Sequence, residues 1–353
     1  MKATVISPTE LRRRIDALPR QRLAMLPTGV QSCPRLASAA GVSRILVKRD
    51  DLTGLGLGGN KTRLLEFILG EALSQNCDVL VAGGGGEQSN HAVQCVAAAN
   101  RVGMDTVMVL QDRPDRRSNG NALLHEVLGG QTVWIDSDPT FADRTSAAER
   151  MASEADRLRS EGRNPYILES SLHPLSVVAY ADAALELSEQ LQQMSFQTAR
   201  VYVTSEGAAL GGLVLGSRAL GLGWDVVGLD WRPSEESTLA RLHATVREAA
   251  QLLGLGSSPD SSDFVICDSG GPAYGVGRAG SWAALRNAAS LEGMLVDPVY
   301  TAKGLAGMLE DLQRRPPAIH ETIVFVHTGG LGAIFAYEED IRRYVIGAKV
   351  SDS

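Results

Sequence analysis

Short runs of β-branched and aliphatic residues alternate along the chain with longer stretches in which apolar residues recur every three or four positions. The short runs predict strands and the longer stretches predict helices. The predicted strands are 45–49, 79–82, 106–110, 132–135, 166–168, 201–204, 226–229 and 322–327, and the predicted helices include 62–75, 92–101, 175–193 and 302–312. This alternation predicts an α/β fold of mostly parallel sheets with helices on both faces.

One polar, charge-rich segment interrupts the alternation. Residues 136–165 predict a connection followed by a solvated helix, which makes this segment the best candidate for a domain boundary. A chain of 353 residues also suits two cooperating domains better than one core.

Composition and charge exclude several classes of function. Apolar residues make up 44% of the chain, and 34 basic residues against 41 acidic ones give a net charge of −7. An acidic chain without basic clusters is a poor partner for nucleic acid or for an anionic membrane. No apolar run approaches the roughly 18 residues needed to cross a bilayer, and the N-terminus is charged where a signal peptide needs an apolar stretch. We therefore expect a soluble, cytoplasmic protein.

Cysteine and histidine spacing gives no sign of a metal site. The four cysteines are scattered without a CxxC pair, which predicts neither a zinc site nor a disulfide framework. Histidines 125, 243 and 320 have no partner at metal-ligand spacing. No metal is expected.

A glycine-rich loop follows the first predicted strand. Gly54, Gly56 and Gly59 formally satisfy G-x-G-x-x-G, and Asp78 lies about 20 residues further on, as in dinucleotide-binding sites. Four residues, however, separate the strand from the first glycine, whereas the dinucleotide fingerprint places its glycines at the turn itself. An NAD-dependent dehydrogenase is therefore the alternative from a different class.

The same loop leads into Lys61, at the start of a predicted helix. A partly desolvated lysine in this position loses preference for its charged form, which prepares the amine for Schiff-base chemistry. The preceding glycines allow other backbone or a flat ligand to approach closely. From this segment alone, a surface lysine after a flexible loop is the simpler interpretation.

A second glycine run favours a functional site over the simpler interpretation of Lys61 as a surface lysine. Glycines 83–86 follow a predicted strand and lead through Ser89, Asn90 and His91 into the next helix. A helix start with free N–H groups and hydrogen-bonding side chains is an anion-binding end. Ser89 and Asn90 are also common helix caps. Capping explains one of them and leaves the glycine run unexplained.

Together these motifs resemble the pyridoxal 5'-phosphate (PLP) lyases of the D-cysteine desulfhydrase and 1-aminocyclopropane-1-carboxylate deaminase family. The motifs occur in the family's order: VKRDDLTG at 47–54, GGNKTR at 58–63, QSNH at 88–91, GPAYG at 271–275, DPVYTAKG at 297–304 and HTGG at 327–330. The resemblance implies a two-domain tryptophan-synthase-β-like fold, PLP as cofactor, a small amino-acid substrate and a homodimer. It further implies a small domain, 51–165, with the SNH loop, and a large PLP domain, 1–50 plus 166–353, with the phosphate loop.

The resemblance also implies roles for individual side chains. Lys61 is the lysine that binds PLP covalently, and Asn90 donates a hydrogen bond to the hydroxyl of the ring. Ser89 contacts the substrate carboxylate or carries a proton. Tyr274 and Tyr300 match the two tyrosines that face the substrate.

Two threonines are expected to lie near the cofactor ring. Thr328 approaches the ring from the HTGG turn, and Thr301 stands where the deaminases carry Glu and the desulfhydrases Thr, near the pyridine nitrogen. A carboxylate there keeps the nitrogen protonated and the ring a strong electron sink, whereas a hydroxyl does not. Thr301 therefore favours β-elimination from a cysteine-like amino acid, giving a 2-oxo acid, ammonia and the leaving group. Cyclopropane-opening deamination and racemisation are the alternatives within PLP chemistry.

The phosphate loop departs from the family pattern. It is expected at Ser205, Glu206, Gly207, Ala208 and Ala209. Ala209 replaces a hydroxyl, and the Glu206 carboxylate beside a dianion costs on the order of 1 kcal/mol or more unless it points away. Backbone N–H groups and the helix dipole can still hold the phosphate.

A second departure lies at 169–174, where relatives have a glycine-rich turn. His173 in this segment is either a surface-loop histidine, the simpler interpretation, or a new active-site group. The altered phosphate loop leaves open a pseudoenzyme that keeps the fold but only binds a ligand or partner.

Overall fold

The computed structural model describes residues 5–83, 85–111, 119–136, 145–196, 199–205, 207–230, 236–271 and 273–347. The strands are β1 Val30–Ser32, β2 Ile45–Lys48, β3 Val79–Gly83, β4 Asp105–Gln111, β5 Gln131–Ile135, β6 Pro165–Leu168, β7 Ala199–Val203, β8 Asp225–Asp230, β9 Val265–Asp268 and β10 Thr322–Val326. The α-helices are α1 Pro8–Asp16, α2 Pro34–Ala40, α3 Lys61–Ser74, α4 Asn90–Val102, α5 Asn121–Val127, α6 Thr145–Ser160, α7 Pro174–Gln193, α8 Ala208–Leu220, α9 Glu236–Leu252, α10 Ala279–Glu292, α11 Thr301–Arg314 and α12 Glu338–Ile341.

The strands form two sheets. The larger has the order β1-β2-β10-β7-β8-β9, and the smaller has the order β5-β4-β3-β6. All pairs are parallel except β1 with β2. The predicted α/β architecture and every predicted strand are confirmed. Strands β1 and β9 were not predicted, because these short edge strands are only partly buried and lack a continuous apolar run.

The polar segment 136–165 does more than connect two units. Within it, α6 packs Met151 and Leu158 against the smaller sheet and also buries Ala155, so the expectation of a solvated helix is wrong for that face. The following strand, β6, still belongs to the smaller sheet. A helix that is polar overall can thus bury one stripe of apolar residues. The division into domains 51–165 and the remainder stays a prediction.

A buried ion cluster lies beside the start of α3. The Arg63 guanidinium, 1% exposed, donates to Asp50 Oδ1 at 2.8 Å and to Glu186 Oε2 at 3.0 Å. Lys48 pairs with the same Glu186. Burial by itself raises the pKa of Asp50, yet the adjacent Arg63 holds that pKa below its usual range. The cluster joins β2, α3 and α7 two residues beyond Lys61.

The glycine loop before α3 is packed against the turn that follows β10. Gly59 forms a backbone bridge with Gly329, and the Asn60 N–H donates to Thr328 O at 3.0 Å. A Cβ on Gly59 would lie 3.1 Å from the same carbonyl oxygen, and a Cβ on Gly58 would lie 1.9 Å from another. The glycines therefore permit close backbone approach, as expected.

Within the described ranges, no helix is long and apolar enough to cross a membrane.

Removing the arginine of the ion cluster should destabilise the protein strongly. Arg63→Ala leaves the carboxylates of Asp50 and Glu186 buried beside Lys48 alone, which should lower the free energy of unfolding by about 3–5 kcal/mol. The matched control is Arg159→Ala, because Arg159 forms an exposed ion pair with Asp156. This substitution should lower the free energy of unfolding by less than about 1 kcal/mol. Urea unfolding followed by circular dichroism measures both variants. Equal midpoint shifts would contradict the assigned role.

Candidate active site

Most of the predicted site residues line one cavity of about 270 Å³: Lys61, Ser89, Asn90, Ser205, Gly207, Ala208, Ala209, Tyr274, Tyr300 and Thr328. Except for Tyr300, which lies between α10 and α11, they come after the carboxyl ends of strands in the two sheets, where ligands bind in parallel α/β folds. Glu206 lies outside the described residues. Thr301 is described but does not line the cavity.

Lys61 is the first residue of α3, and its position is set by the backbone bond from Asn60 to the turn after β10. Burial lowers the pKa of the Lys61 amine to about 8. About a tenth of the amine is then neutral at pH 7, against a negligible fraction for an ordinary lysine. The amine is therefore prepared for nucleophilic and proton-transfer chemistry.

Location rather than basicity distinguishes Lys61 from a second buried lysine. Burial also lowers the pKa of Lys303 to about 8, but its Nζ donates to Ala273 O at 3.1 Å and lies off the cavity wall. Lys48 belongs to the ion cluster described above. Among these lysines, only Lys61 lines the cavity.

The start of α4 contributes neutral polar groups. Ser89 caps the helix, its Oγ accepting the Ala92 N–H at 3.3 Å, and it also lines the cavity. Asn90 Oδ1 accepts a hydrogen bond from Asn121 Nδ2 at 2.5 Å. Burial lowers the pKa of His91 to about 3, so this cavity-lining imidazole is neutral at physiological pH. Capping and cavity contact thus coexist at Ser89.

Two tyrosines place their hydroxyl groups together. Tyr300 and Tyr274 are hydrogen-bonded at 2.9 Å between oxygens, with their rings edge to face. Burial raises the pKa of Tyr274, so its phenol stays protonated. A Cβ on Gly85 would lie 3.1 Å from Ser89 Oγ and 3.8 Å from the Tyr274 hydroxyl, which places both side chains beside the same glycine. Three hydroxyl groups therefore converge on one part of the wall.

The turn that presents Tyr300 is held by Asp297, which sequence reasoning missed. Its buried carboxylate accepts the N–H groups of Val299 at 2.9 Å and Tyr300 at 2.8 Å. The Thr301 hydroxyl donates to Asp297 Oδ2 at 2.6 Å and accepts the Asp297 N–H at 2.8 Å. The Thr301 proton is thus engaged by a carboxylate. Its predicted place at the pyridine nitrogen stays a prediction.

Other cavity residues were not named as site residues, although 169–172 belong to the altered turn, and Gly83 and Gly85 to the glycine run, that sequence reasoning singled out. They are Asn60, Leu64, Gly83, Gly85, Gln111, Ala147, Glu169, Ser170, Ser171, Leu172, Thr204, Thr238 and Arg241, in addition to His91. Gln111 ends β4 and Glu169 follows β6, so strand ends were a usable signal for both. Arg241 lies within α9, where the sequence carries no such signal. His173 does not line the cavity; it caps α7 by accepting the Leu175 N–H.

Comparison with known proteins decides the family. Residues 22–329 match the family described as "Pyridoxal-phosphate dependent enzyme". The 1-aminocyclopropane-1-carboxylate deaminase of Burkholderia vietnamiensis is 34% identical, the alignment covering 93% of this chain and 99% of the relative. The D-cysteine desulfhydrase of Klebsiella pneumoniae is 31% identical, covering 92% and 98%. The chain belongs to the PLP-dependent deaminase and desulfhydrase family.

A solved structure described as an ACC deaminase homologue has the same fold as this PLP-dependent enzyme. The TM-score is 0.85 at 31% sequence identity, covering 95% of this chain and 99% of the other. The expected tryptophan-synthase-β-like fold and the PLP cofactor are confirmed. The dehydrogenase alternative is wrong, because residues 49–60 separate β2 from α3 and the loop glycines serve backbone packing.

The residues of the cavity fit PLP. Gly207, the N-cap of α8, carries no side-chain cap, so N–H groups of the first turn are available to an anion. On the same wall, the buried atoms Gln111 Oε1 and Thr204 Oγ1 have no hydrogen-bond partner among the described residues, and polar groups left in this state are suited to bind a ligand. Lys61 supplies the amine. Within the described residues, no group of acidic, histidine or cysteine side chains is arranged to hold a metal.

Lys61 should carry the covalent cofactor. In the wild type and in Lys303→Met, borohydride reduction followed by peptide mass mapping should find the PLP adduct on Lys61. Lys61→Ala should lose the adduct, because no other lysine amine lines the described cavity. An adduct on Lys303 or Lys48 in the wild type would contradict the assignment.

The pH dependence of PLP capture should report the lowered pKa of Lys61. Only the neutral amine attacks an aldehyde, so the rate of capture by apoenzyme should increase with pH and level off above about 8. With an ordinary lysine, the rate of capture would level off only above about pH 10. Stopped-flow absorbance measures the rate, and an inflection near 10 would show that the amine is not desolvated.

Proposed function

We propose that this enzyme eliminates the β-substituent of a small polar amino acid such as cysteine, releasing the leaving group and an enamine that one water molecule hydrolyses to a 2-oxo acid and ammonia. The observation that carries the proposal is the convergence of one lowered-pKa amine and three hydroxyl groups in the cavity. Such a set supplies a base for the α-proton and neutral donors for the departing group.

Lys61 is the base in this proposal. Bound PLP would delocalise the negative charge that develops at the substrate Cα when its proton leaves. With a pKa of about 8, a sufficient fraction of Lys61 is neutral near pH 7 to accept that proton. The protonated amine is then acidic enough to return it. Wall residues then need only position the substrate and shuttle protons.

The hydroxyl groups take the positioning and proton-donating roles. Ser89 stands at the N-terminus of α4, where the helix dipole favours a carboxylate. The hydrogen-bonded Tyr300 and Tyr274 can pass a proton to a leaving thiolate, because burial keeps the Tyr274 phenol protonated. Neutral His91 adds no competing charge.

The residue at position 301 supports elimination over ring opening. The deaminases are expected to carry a carboxylate there, and this enzyme carries Thr301, whose hydroxyl is hydrogen-bonded to Asp297. A weaker electron sink is sufficient when a good leaving group departs from the β-carbon, and less so for opening a cyclopropane. Identity of 34% to a 1-aminocyclopropane-1-carboxylate deaminase keeps that deamination as the second candidate. A homodimer is part of the proposal, supported by the family resemblance.

A substrate panel tests the proposal. The holoenzyme is given D- and L-cysteine, chloroalanine, cysteate, serine and 1-aminocyclopropane-1-carboxylate, and 2-oxo acid release is measured. Amino acids with good leaving groups should react faster than the cyclopropane, and Lys61→Ala should be inactive with all of them. Fastest turnover of the cyclopropane would favour the deaminase, and no turnover by a PLP-loaded enzyme would favour a pseudoenzyme.

A further inference from the structure

The cavity wall carries one cation that the chemistry described so far leaves unused. Its described basic residues are Arg241 and Lys61, which would bind PLP covalently before the substrate enters and serve as the base once the substrate amine has displaced it. His91 is neutral, and Glu169 adds a carboxylate. Once Lys61 is engaged, Arg241 is the only permanent positive charge on the described part of the wall.

Arg241 reaches the cavity from a helix that packs on the phosphate-loop helix. It lies in α9, whose next residue, Leu242, contacts α8: a Cβ on Gly211 would lie 3.1 Å from Leu242 Cδ1. Thr238, one turn earlier in α9, lines the same cavity together with Ser205 and Gly207. The side of α9 that bears Thr238 and Arg241 therefore faces the cavity near the start of α8.

The Arg241 guanidinium is available for a ligand. The side chain is exposed, and within the described ranges no ion pair or side-chain hydrogen bond involves it. An arginine can donate two parallel hydrogen bonds to a phosphate, which makes it well suited to this group. The cavity thus presents an uncommitted phosphate-binding side chain.

The phosphate loop leaves a charge to be balanced. A phosphate monoester carries close to two negative charges at neutral pH, whereas a helix N-terminus offers about half a positive charge. Ala209 contributes no hydroxyl, and the N-cap Gly207 contributes no side chain. The neutral donors of this turn are then backbone N–H groups and the hydroxyl groups of Thr204 and Ser205. An arginine nearby would supply the missing charge.

We propose that Arg241 binds the phosphate group of PLP, together with the backbone N–H groups at the start of α8. The proposal depends on PLP as cofactor and on the phosphate lying at α8. It does not depend on which amino acid is the substrate. Arg241 takes over the role of the hydroxyl that Ala209 lacks.

The test compares two ligands that differ only in the phosphate. Equilibrium dialysis measures the affinity of apoenzyme for PLP and for pyridoxal, in the wild type, Arg241→Gln and Arg247→Gln. Arg241→Gln should weaken PLP binding by about 10- to 100-fold, as expected for loss of a charged hydrogen bond, and leave pyridoxal binding unchanged. Arg247 is an exposed arginine of the same helix off the cavity wall, so its variant should match the wild type for both ligands.

Each other outcome overturns the proposal. Unchanged PLP affinity in Arg241→Gln would mean that Arg241 faces substrate or solvent, and equal weakening for PLP and pyridoxal would mean that it acts on the fold. Thermal unfolding of the apo forms checks that the variants are folded. Arg241→Lys, which keeps the charge and loses the fork of donors, should bind PLP with intermediate affinity. Failure of the elimination assay would leave these affinities untouched, so the two proposals fail separately.

Discussion

The buried ion cluster beside Lys61 is the constraint on which the rest of the site depends. Arg63, Asp50, Glu186 and Lys48 neutralise one another out of water, and none of them can be removed without leaving an uncompensated charge. Because Arg63 lies in the first turn of α3, the cluster fixes that helix against β2 and α7. The amine of Lys61 is therefore placed by charge pairing that lies outside the cavity it serves.

Desolvation acts in the same direction on three groups of the inner cavity wall. It lowers the pKa of Lys61 and of His91 and raises that of Tyr274, so the equilibrium of each group shifts toward its uncharged form. Neutral groups can exchange protons with a substrate without reorganising strong local charges. Among the described residues of the wall, the charged side chains besides Lys61 are Arg241 and Glu169, and the proposed position of the phosphate is beside Arg241.

Asp297 shows how a motif residue can act through the backbone. Its carboxylate accepts N–H groups from Val299, Tyr300 and Thr301, and it also engages the Thr301 hydroxyl. Four hydrogen bonds to one carboxylate fix the turn before α11 and thereby the direction of Tyr300. Asp297 therefore holds this turn in place, and the side chain at position 301 is one part of it.

The sequence by itself determined the parallel α/β architecture, because hydrophobic periodicity is a local signal. Its motifs, through their resemblance to a known family, predicted Lys61, Ser89, Tyr274 and Tyr300 as site residues, and these four line one cavity. The sequence missed β1 and β9, since edge strands need little buried apolar surface, and it misjudged α6, whose apolar stripe has meaning only against a sheet. Only the tertiary structure decided that Gln111 and Arg241 share the cavity and that Thr301 bonds to Asp297. Arg241 meets Gln111 through the packing of distant segments, which leaves no local pattern in the chain. The bond between Thr301 and Asp297 joins residues four positions apart and depends on the conformation of the turn.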